Sequence, residues 1–399
     1  MTWVFLGDSI TAAHGYSDYF EAYFHLRYPR VRLHFRGEGR GGTAIPESLE
    51  QHRYEKRVDP WSPNVVSEMF GNNGSFSRTQ FRNQLEELGS KYIIGKSHAV
   101  PVLFGPHPVY RADGKAVLGQ FSEELAHVGK SEGWVYADIW HYLHPIWSEN
   151  QKSPAPVNLQ YQAPRKENAV EQTHPGPSGH LAIAFALLHQ LKADGEVSHA
   201  VLDARKSVVV SSEHTRITGL KSTPKGIDFV RLDERLPMAY DPPAVEIFKL
   251  MPQILELNQY LLTVEGLAEG SYEVWIDGVE CSTVDAATLA RGWNLATLEK
   301  GPIHDQLREV LGRIRDKEGV DRQAVWDAGA KRKEVGPPWQ GVSAFRSAAD
   351  KGYNSLNLRG DELKTYLAPQ IAAVRKLDDL IYSAAQPVAR SFSLRKAAP

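Results

Sequence analysis

The first thirty residues combine a short apolar run with a longer amphipathic one. Trp3 to Leu6 is compact, apolar and rich in strand-forming residues, which predicts a buried β-strand. Between residues 16 and 28, aromatic and apolar residues recur at helical spacing, which predicts an amphipathic helix. The sequence Gly7-Asp8-Ser9 lies between the two elements. It therefore forms the predicted turn at the carboxyl end of the strand.

The succession of strand and helix continues to about residue 195. Further strands are predicted at 31–35, 64–70, 99–104 and 134–139. Further helices are predicted at 44–58, 77–89, 121–132 and 181–191. Strands that alternate with helices at this spacing form a parallel sheet covered by helices. The pattern therefore predicts an α/β fold.

Beyond residue 205 the pattern changes to short strands bounded by turns. These strands are predicted at 208–211, 226–232, 260–264 and 272–276. Asp277-Gly278 is a strong hairpin signal, so this region predicts a small antiparallel β unit. After residue 300 the pattern becomes helical, at 304–317 and 361–385. We expect three regions: a first domain at 1–200, a β-rich module at 201–300, and a helical region at 301–399 packed back on the first domain.

Composition and charge exclude several classes of protein. The chain is 42% hydrophobic and 24% charged, which is ordinary for a folded soluble protein. A net charge of −2 creates no global attraction to nucleic acid or to anionic membranes. Cys281 is the single cysteine, so neither a disulfide framework nor a multi-cysteine metal site is possible. We expect no metal and no cofactor.

The sequence leaves the compartment open. No apolar run reaches the length of a membrane span, and the first strand begins too early for a signal peptide. Two alternatives remain: a cytoplasmic protein, or a secreted one whose leader has been removed.

Four short blocks carry candidate chemistry at predicted strand ends or in the loops that follow. They are Gly7-Asp8-Ser9, the glycine-rich segment 36–43 with Gly41, Gly71-x-Asn73, and Glu171-x-x-His174-Pro. Because ligands of α/β proteins bind at the carboxyl edge of the sheet, the four blocks can meet there. Each block alone is equally good turn or cap chemistry, and only the set of four in order is specific.

This set resembles the SGNH hydrolases, also called GDSL esterases and lipases, over roughly residues 1 to 195. After residue 200 the resemblance is looser. The hairpin segment 270–278, the segment 292–296 and the closing helix with Gln386-Pro387 resemble a bacterial subgroup that carries a β module and a helical tail. The resemblance implies a flavodoxin-like three-layer α/β/α sandwich. It also implies that Ser9 is the nucleophile and His174 its general base. The oxyanion hole would consist of the backbone N–H groups of Ser9 and Gly41 and the side-chain amide of Asn73.

Two departures from the family pattern leave alternatives open. The family usually has Asp three residues before the histidine, where this chain has Glu171. Glu171 can complete a Ser-His-Glu triad, or a backbone carbonyl can orient His174 in a Ser-His dyad. The block around Gly41 is also irregular, so Gly39 or Gly42 remains an alternative donor.

Other residues near predicted strand ends are weaker candidates for a functional role. Asp138 is a rival carboxylate for the triad, although a solvated turn is the commoner reading. Four histidines are candidates for lining the pocket, but structural roles are more frequent: His14, His107, His141 and His144. We expect His180 on a helix surface and Cys281 in the core. The aromatic residues Trp134, Trp140, Tyr142 and Trp147 fit core packing better than sugar stacking.

The resemblance implies a serine esterase that works through an acyl-enzyme. We expect short acyl esters as substrates, with acetyl groups on carbohydrates first. The partner is then a small-molecule or polysaccharide ester. The alternatives are a general short-chain carboxylesterase or lipase, an acyltransferase, and a catalytically silent glycan-binding protein.

Overall fold

A computed structural model describes residues 1–110, 115–162, 170–223, 225–319 and 341–397. Within these ranges, the side chains of residues 115, 116, 161, 162 and 170–172 are left undescribed.

The first half of the chain builds a five-stranded parallel sheet. Its strands are β1 (Thr2–Gly7), β2 (His34–Gly39), β3 (Val65–Met69), β4 (Val100–Phe104) and β5 (Val135–Ala137). They lie in the order β2-β1-β3-β4-β5. The chain leaves β1 toward β2 on one side and later toward β3 on the other. The flavodoxin-like fold is thereby confirmed, and the carboxyl end of β1 lies at the switch point where such sheets bind ligands.

Helices cover both faces of this sheet. They are α1 (Ser9–Ala12), α2 (Gly15–Arg27), α3 (Ile45–Glu50), α4 (Arg78–Glu86), α5 (Gly95–Ser97), α6 (Lys115–Glu132) and α7 (Ile139–Lys152), followed by α8 (Pro177–Gln190). A two-stranded ribbon of β6 (Gln160–Gln162) and β7 (Val170–Pro175) precedes α8. Alternate side chains of β1 enter two different cores, because successive residues of a strand point to opposite faces. The sheet is therefore buried on both sides.

Several predicted boundaries in this half are wrong. The strand expected at 31–35 begins at His34, since the preceding residues form a turn at Pro29 and Arg30. The helix expected at 44–58 ends at Glu50 and continues as a π-helical turn, Tyr54–Val58, and a 3-10 turn, Asp59–Trp61. The prediction lacks α7, which contains Pro145. A proline within a helix removes a backbone donor and obscures the pattern.

The second half contains two further sheets. One has the order β15-β12-β8-β9, the other β10-β11-β16-β13-β14. Their strands are β8 (Glu196–Asp203), β9 (Val208–Glu213), β10 (Thr215–Thr223), β11 (Gly226–Asp233), β12 (Gln259–Glu265), β13 (Ser271–Ile276), β14 (Val279–Asp285), β15 (Trp293–Asn294) and β16 (Arg390–Lys396). Asp277-Gly278 forms the predicted hairpin between β13 and β14. The predicted antiparallel pairing is present throughout the five-stranded sheet, whereas the four-stranded sheet also contains a parallel pair, β8 and β12.

The remaining elements pack against the first sheet as well as against the later ones. Two 3-10 segments, Pro242–Lys249 and Pro252–Leu257, precede β12. The later helices are α9 (Ala286–Arg291), α10 (Pro302–Glu318), α11 (Gly341–Asp350) and α12 (Gly360–Ala384), with a π-helical turn at Lys351–Ser355. Helix α10 packs on α2, while α11 and α12 join the core on the opposite face of the first sheet. The region expected to be helical ends in a strand, β16 (Arg390–Lys396).

Candidate active site

Ser9 begins α1, and one residue, Asp8, separates it from the end of β1. Asp8 is the N-cap of α1 and accepts a hydrogen bond from the Ile10 backbone N–H at 2.9 Å. At Gly7 a Cβ atom would stand 2.2 Å from the Thr11 hydroxyl and 2.8 Å from the Met69 carbonyl. Only glycine allows so close a turn. The turn thus fixes Ser9 at the carboxyl edge of the sheet, with its side chain partly exposed.

His174 reaches Ser9 from the end of β7. Its Nε2 lies 2.9 Å from the Ser9 Oγ, although the two residues are 165 positions apart in the chain. This is hydrogen-bond distance, so the imidazole can take a proton from the hydroxyl. The structure therefore brings together the two residues predicted as nucleophile and base.

The backbone around His174 is held by two buried polar side chains. His107 donates from Nε2 to the Thr173 carbonyl at 2.8 Å, which places the ring proton on that nitrogen. The Gln160 amide, oriented to satisfy both neighbours, donates to the His174 carbonyl at 2.6 Å and accepts from the Trp147 indole at 3.2 Å. The role of Gln160 could not be predicted from the sequence, because a single glutamine carries no motif.

Asn73 lies between the turn that carries Ser9 and the loop that carries Gly41. Its Nδ2 is 3.3 Å from the Asp8 Oδ2 and 3.3 Å from the Thr43 carbonyl oxygen. The amide is half-buried, so it stays available to a group bound beside Ser9.

Three glycines compete for the second donor position, and their surroundings differ. At Gly41 a Cβ atom would lie 4.0 Å from the Ser9 Cβ, so this residue is a neighbour of the serine. Gly39 is packed against α1, where a Cβ atom would come within 2.1 Å of the Ala12 nitrogen. Gly42 has a φ of 71° and no atom within 4 Å of such a Cβ. These contacts favour Gly41 as the residue beside the reacting atoms.

Asp8 adds a titratable group beneath Ser9. Burial raises the pKa of this carboxyl to about 7, although hydrogen bonds from the Ile10 backbone and the Asn72 side chain oppose the increase. At neutral pH the group is therefore divided between its neutral and charged forms. From the sequence, Asp8 is predicted only as part of a turn, since its burial depends on the fold.

The order of these residues along the chain is that of a known family. A model of the GDSL-like Lipase/Acylhydrolase family matches residues 5–182. Residues 5–182 belong to the SGNH hydrolases. The resemblance stated above is confirmed for these residues, and their domain is that of a carboxylic ester hydrolase.

The solved structures that are similar to this chain differ in how much of it they cover. BT4096, described as a gut microbial diltiazem-metabolizing enzyme, matches with a TM-score of 0.74 and 22% identity over 99% of this chain and 97% of that one. LAE5, an alpha/beta hydrolase from the metagenome of Lake Arreo, Spain, has a TM-score of 0.39 and 19% identity, and the match covers 48% of this chain and 94% of that chain. Axe2, an acetylxylan esterase from Geobacillus stearothermophilus, has a TM-score of 0.39 and 17% identity. That match covers 48% of this chain and 93% of the Axe2 chain. A search of curated proteins finds no match.

The third member of the SGNH triad stays a prediction. Glu171 belongs to β7, but its side chain lies outside the described part of the structure. The rival carboxylate, Asp138, caps α7: it accepts from the His141 backbone at 3.1 Å and lies 2.9 Å from the His141 Nδ1. These contacts give Asp138 a structural role at the start of that helix.

The other histidines of the hydrolase have structural surroundings. His14 is buried, with its Nδ1 3.5 Å from a Glu318 carboxylate oxygen, and His144 stacks on Trp140. The prediction that His180 lies on a helix surface is wrong, because it is buried and accepts a hydrogen bond from the Tyr16 backbone at 3.1 Å. Cys281 is buried as expected.

The described residues contain no group of three or more His, Cys, Asp or Glu side chains arranged to hold a metal ion. In the same ranges, no helix is both long enough and apolar enough to cross a membrane.

Proposed function

We propose that this SGNH hydrolase removes short acyl groups, with acetyl groups first, from the hydroxyls of a carbohydrate. The observation that carries the proposal is the 2.9 Å contact between His174 and Ser9 at the switch point of the sheet. In this scheme, Ser9 Oγ attacks the ester carbonyl carbon while His174 takes the hydroxyl proton. The bond between that carbon and the alcohol oxygen then breaks, and His174 gives the proton to the leaving alcohol.

Water completes the cycle by the same steps in reverse order. It attacks the carbonyl carbon of the acyl-serine while His174 accepts a proton from it. The bond between that carbon and Ser9 Oγ then breaks, His174 returns the proton to Ser9 Oγ, and the carboxylic acid is released. Both steps pass through a tetrahedral oxyanion, which needs donors that are already in place. We assign these donors to the Ser9 and Gly41 backbone N–H groups and to the Asn73 amide, because Gly41 is a neighbour of Ser9 and Asn73 contacts Asp8, the residue before Ser9.

The cavity beside Gly41, the glycine next to Ser9, supports a polar alcohol part. A cavity of about 700 Å³ opens at the loop that carries Gly41. Its lining consists of glycine, charged and amide or imidazole side chains, with neither an aliphatic nor an aromatic residue. A long acyl chain or a lipid needs an apolar wall, whereas a sugar is bound by hydrogen-bonding groups. This lining favours a carbohydrate ester with a small acyl group.

The proposal is tested by comparing ester substrates with serine variants. We expect hydrolysis of 4-nitrophenyl acetate to exceed that of 4-nitrophenyl octanoate, and acetate to be released from an acetylated oligosaccharide. Ser9→Ala should lower kcat by at least about 10³-fold, because the other groups supply only residual catalysis. Ser131→Ala, on α6 and away from the site, serves as the matched control.

Circular dichroism should show the same melting curve for Ser9→Ala as for the parent. A folded Ser9→Ala protein that retains full activity contradicts the role of Ser9. Faster turnover of the octanoate ester, or no release from any acetylated sugar, contradicts the substrate class.

A further inference from the structure

The polar cavity beside Gly41 concentrates positive charge. Two segments distant in sequence build it: the region from Gly39 to Arg57, and the end of α11 with the turn that follows. Its lining contains five cationic side chains and two carboxylates, a net of three positive charges in a protein whose total is −2. The cations are Arg40, Arg53, Lys56, Arg57 and Arg346. We call this cavity the basic pocket.

The nearby carboxylates are too few for these cations. Asp350 pairs with both Lys56, at 3.5 Å, and Arg57. Behind the wall, the single carboxylate of Glu38 is 3.9 Å from Arg53 and 3.4 Å from Arg346. Each of these two carboxylates is therefore shared by two cations.

Two cations of the basic pocket, Arg40 and Arg346, have further contacts. Arg40 donates to Gln51, a neutral amide. Arg346 also approaches Glu318 at 3.7 Å, but that carboxylate is 4.0 Å from Lys317 as well. Burial raises the pKa of Glu318 to about 7, which reduces its negative charge further. The lining itself, with Glu50 and Asp350 as its carboxylates, keeps an excess of three cations among the described side chains.

Arg53 shows the deficit most clearly. It is buried, it donates to the Glu38 carbonyl at 2.9 Å, and its Nε has no hydrogen-bond partner. Burial lowers the pKa of this guanidinium to about 10, Glu38 opposes the decrease, and the neighbouring Arg57, Arg346 and Arg40 add to it. A buried cation that is surrounded by further cations is stabilised by an added anion.

We infer that the basic pocket binds a carboxylate group on the alcohol part of the substrate, so that the natural ester is an acylated acidic saccharide. The inference rests on the proposed function, because it places this group beside the nucleophile. Arginine side chains suit a carboxylate, since the planar guanidinium can donate two parallel hydrogen bonds to it. Gly41 is a neighbour of Ser9 and also lines the basic pocket. The acylated hydroxyl and the carboxylate of the substrate would therefore lie on the same sugar residue or a few residues apart.

The decisive comparison uses one polymer in two charge states. O-acetylated homogalacturonan carries free carboxylates, and its methyl-esterified form has the same backbone without the charges. We expect kcat/KM for acetate release to be at least tenfold higher for the acidic form at low salt. The difference should shrink at 0.5 M NaCl, because salt screens charge attraction.

Variants locate the preference in the basic pocket. Arg57→Gln and Arg40→Gln should each lower the ratio of acidic to neutral kcat/KM severalfold, mainly through KM. Arg216→Gln removes an equal charge from the exposed face of β10 and should leave that ratio unchanged. Equal ratios for all three variants and the parent overturn the inference.

Direct binding keeps the inference testable apart from catalysis. Calorimetric titration of the parent and of Ser9→Ala should show binding of galacturonate that exceeds binding of galactose, and Arg57→Gln should weaken it. Tighter binding of galactose 6-sulfate than of galacturonate overturns the choice of carboxylate in favour of sulfate. Loss of all ester turnover with galacturonate binding intact would contradict the proposed function alone. Hydrolysis of 4-nitrophenyl acetate without any anion binding would contradict only the inference.

Discussion

Asn73 is the side chain on which the proposed oxyanion hole depends most. Its Nδ2 lies 3.3 Å from Asp8 and from the Thr43 carbonyl, between the two loops that flank the nucleophile. Asn73→Ala should lower kcat by about 10²–10³-fold with a small change in KM, since the donor acts mainly in the transition state. Steady-state kinetics with 4-nitrophenyl acetate measures this effect.

Asn64→Ala provides the comparison for Asn73. Asn64 accepts from the Thr2 backbone at 2.8 Å, at the start of the central strands, so its loss should affect stability but not kcat. Equal losses of kcat in the two variants would contradict the role given to Asn73.

Glu68 is a buried carboxyl that the proposed chemistry does not use. It lies on β3 between Leu6 of β1 and Leu103 of β4, and neither of its oxygens has a hydrogen-bond partner. Burial alone raises the pKa of Glu68 to about 8. The group therefore folds in its neutral form, and charging it at higher pH favours the unfolded chain.

This burial predicts a pH-dependent stability. Because the pKa is 4.5 in the unfolded chain and about 8 in the fold, the stability from this group is present at low pH and is lost as pH rises through 8. Glu68→Gln removes the titration, so its free energy of unfolding relative to the parent should increase by at most about 4 kcal/mol between pH 5 and 8.5. Urea unfolding at the two pH values measures the change. Glu132→Gln, at the exposed end of α6, should show no such change, and an identical pH trend in parent and Glu68→Gln would contradict the assignment.

At the scale of elements, one buried carboxylate attaches helix α12 to the rest of the molecule. Asp378 accepts from Arg36 of β2 at 2.6 and 3.0 Å and from His34 at 2.7 Å, and it lies 3.6 Å from Lys317 of α10. Burial raises the pKa of Asp378, but Arg36 and Lys317 more than offset this effect and hold it well below the usual range. The carboxylate thus joins three elements that are far apart in the sequence.

Removing that charge should destabilise the packing of α12. Asp378→Asn leaves Arg36 and Lys317 buried without their common partner, and we expect a loss of about 3–5 kcal/mol. Asp379→Asn is the matched control, because Asp379 is the next residue but pairs with Arg32 in solvent. Such exposed pairs contribute at most about 1 kcal/mol. Denaturant unfolding distinguishes the two variants, and similar losses would contradict the proposed attachment.

At the scale of the whole molecule, the last strand lies in the middle of a sheet. Strand β16 pairs with β11 on one side and β13 on the other, so the chain closes this sheet only with its final residues. The hydrophobic core that contains Leu394 of β16 also contains Phe5 of β1 and Phe20 of α2. Packing is therefore continuous from the first sheet to the last strand.

This continuity predicts one cooperative unfolding transition, although the sequence suggests three regions. Leu394→Ala removes a fully buried side chain and should cost about 2–5 kcal/mol. We expect differential scanning calorimetry to show one transition, shifted as a whole to lower temperature. Lys396→Ala, exposed on the same strand, should leave the midpoint within about 2 °C. Two transitions, with only one of them shifted, would support independent domains instead.

Features that depend only on neighbouring residues could be predicted from the sequence. Strand and helix periods, the Asp277-Gly278 hairpin and the Gly7-Asp8-Ser9 turn are encoded within a few positions, so their type could be predicted. The four blocks that resemble the SGNH hydrolases also lie within short segments. Boundaries were less predictable, as at residues 44–61, because the packing of later helices selects π and 3-10 turns there.

Contacts between distant residues, by contrast, depend on the folded structure. It placed His174 on Ser9, inserted β16 between β11 and β13, and buried Glu68 and His180. The basic pocket likewise combines Arg57 with Arg346, and neither segment alone carries a recognisable pattern. The physical reason is that burial, ion pairing and strand order depend on contacts between remote parts of the chain, whereas periodicity and turn chemistry are local.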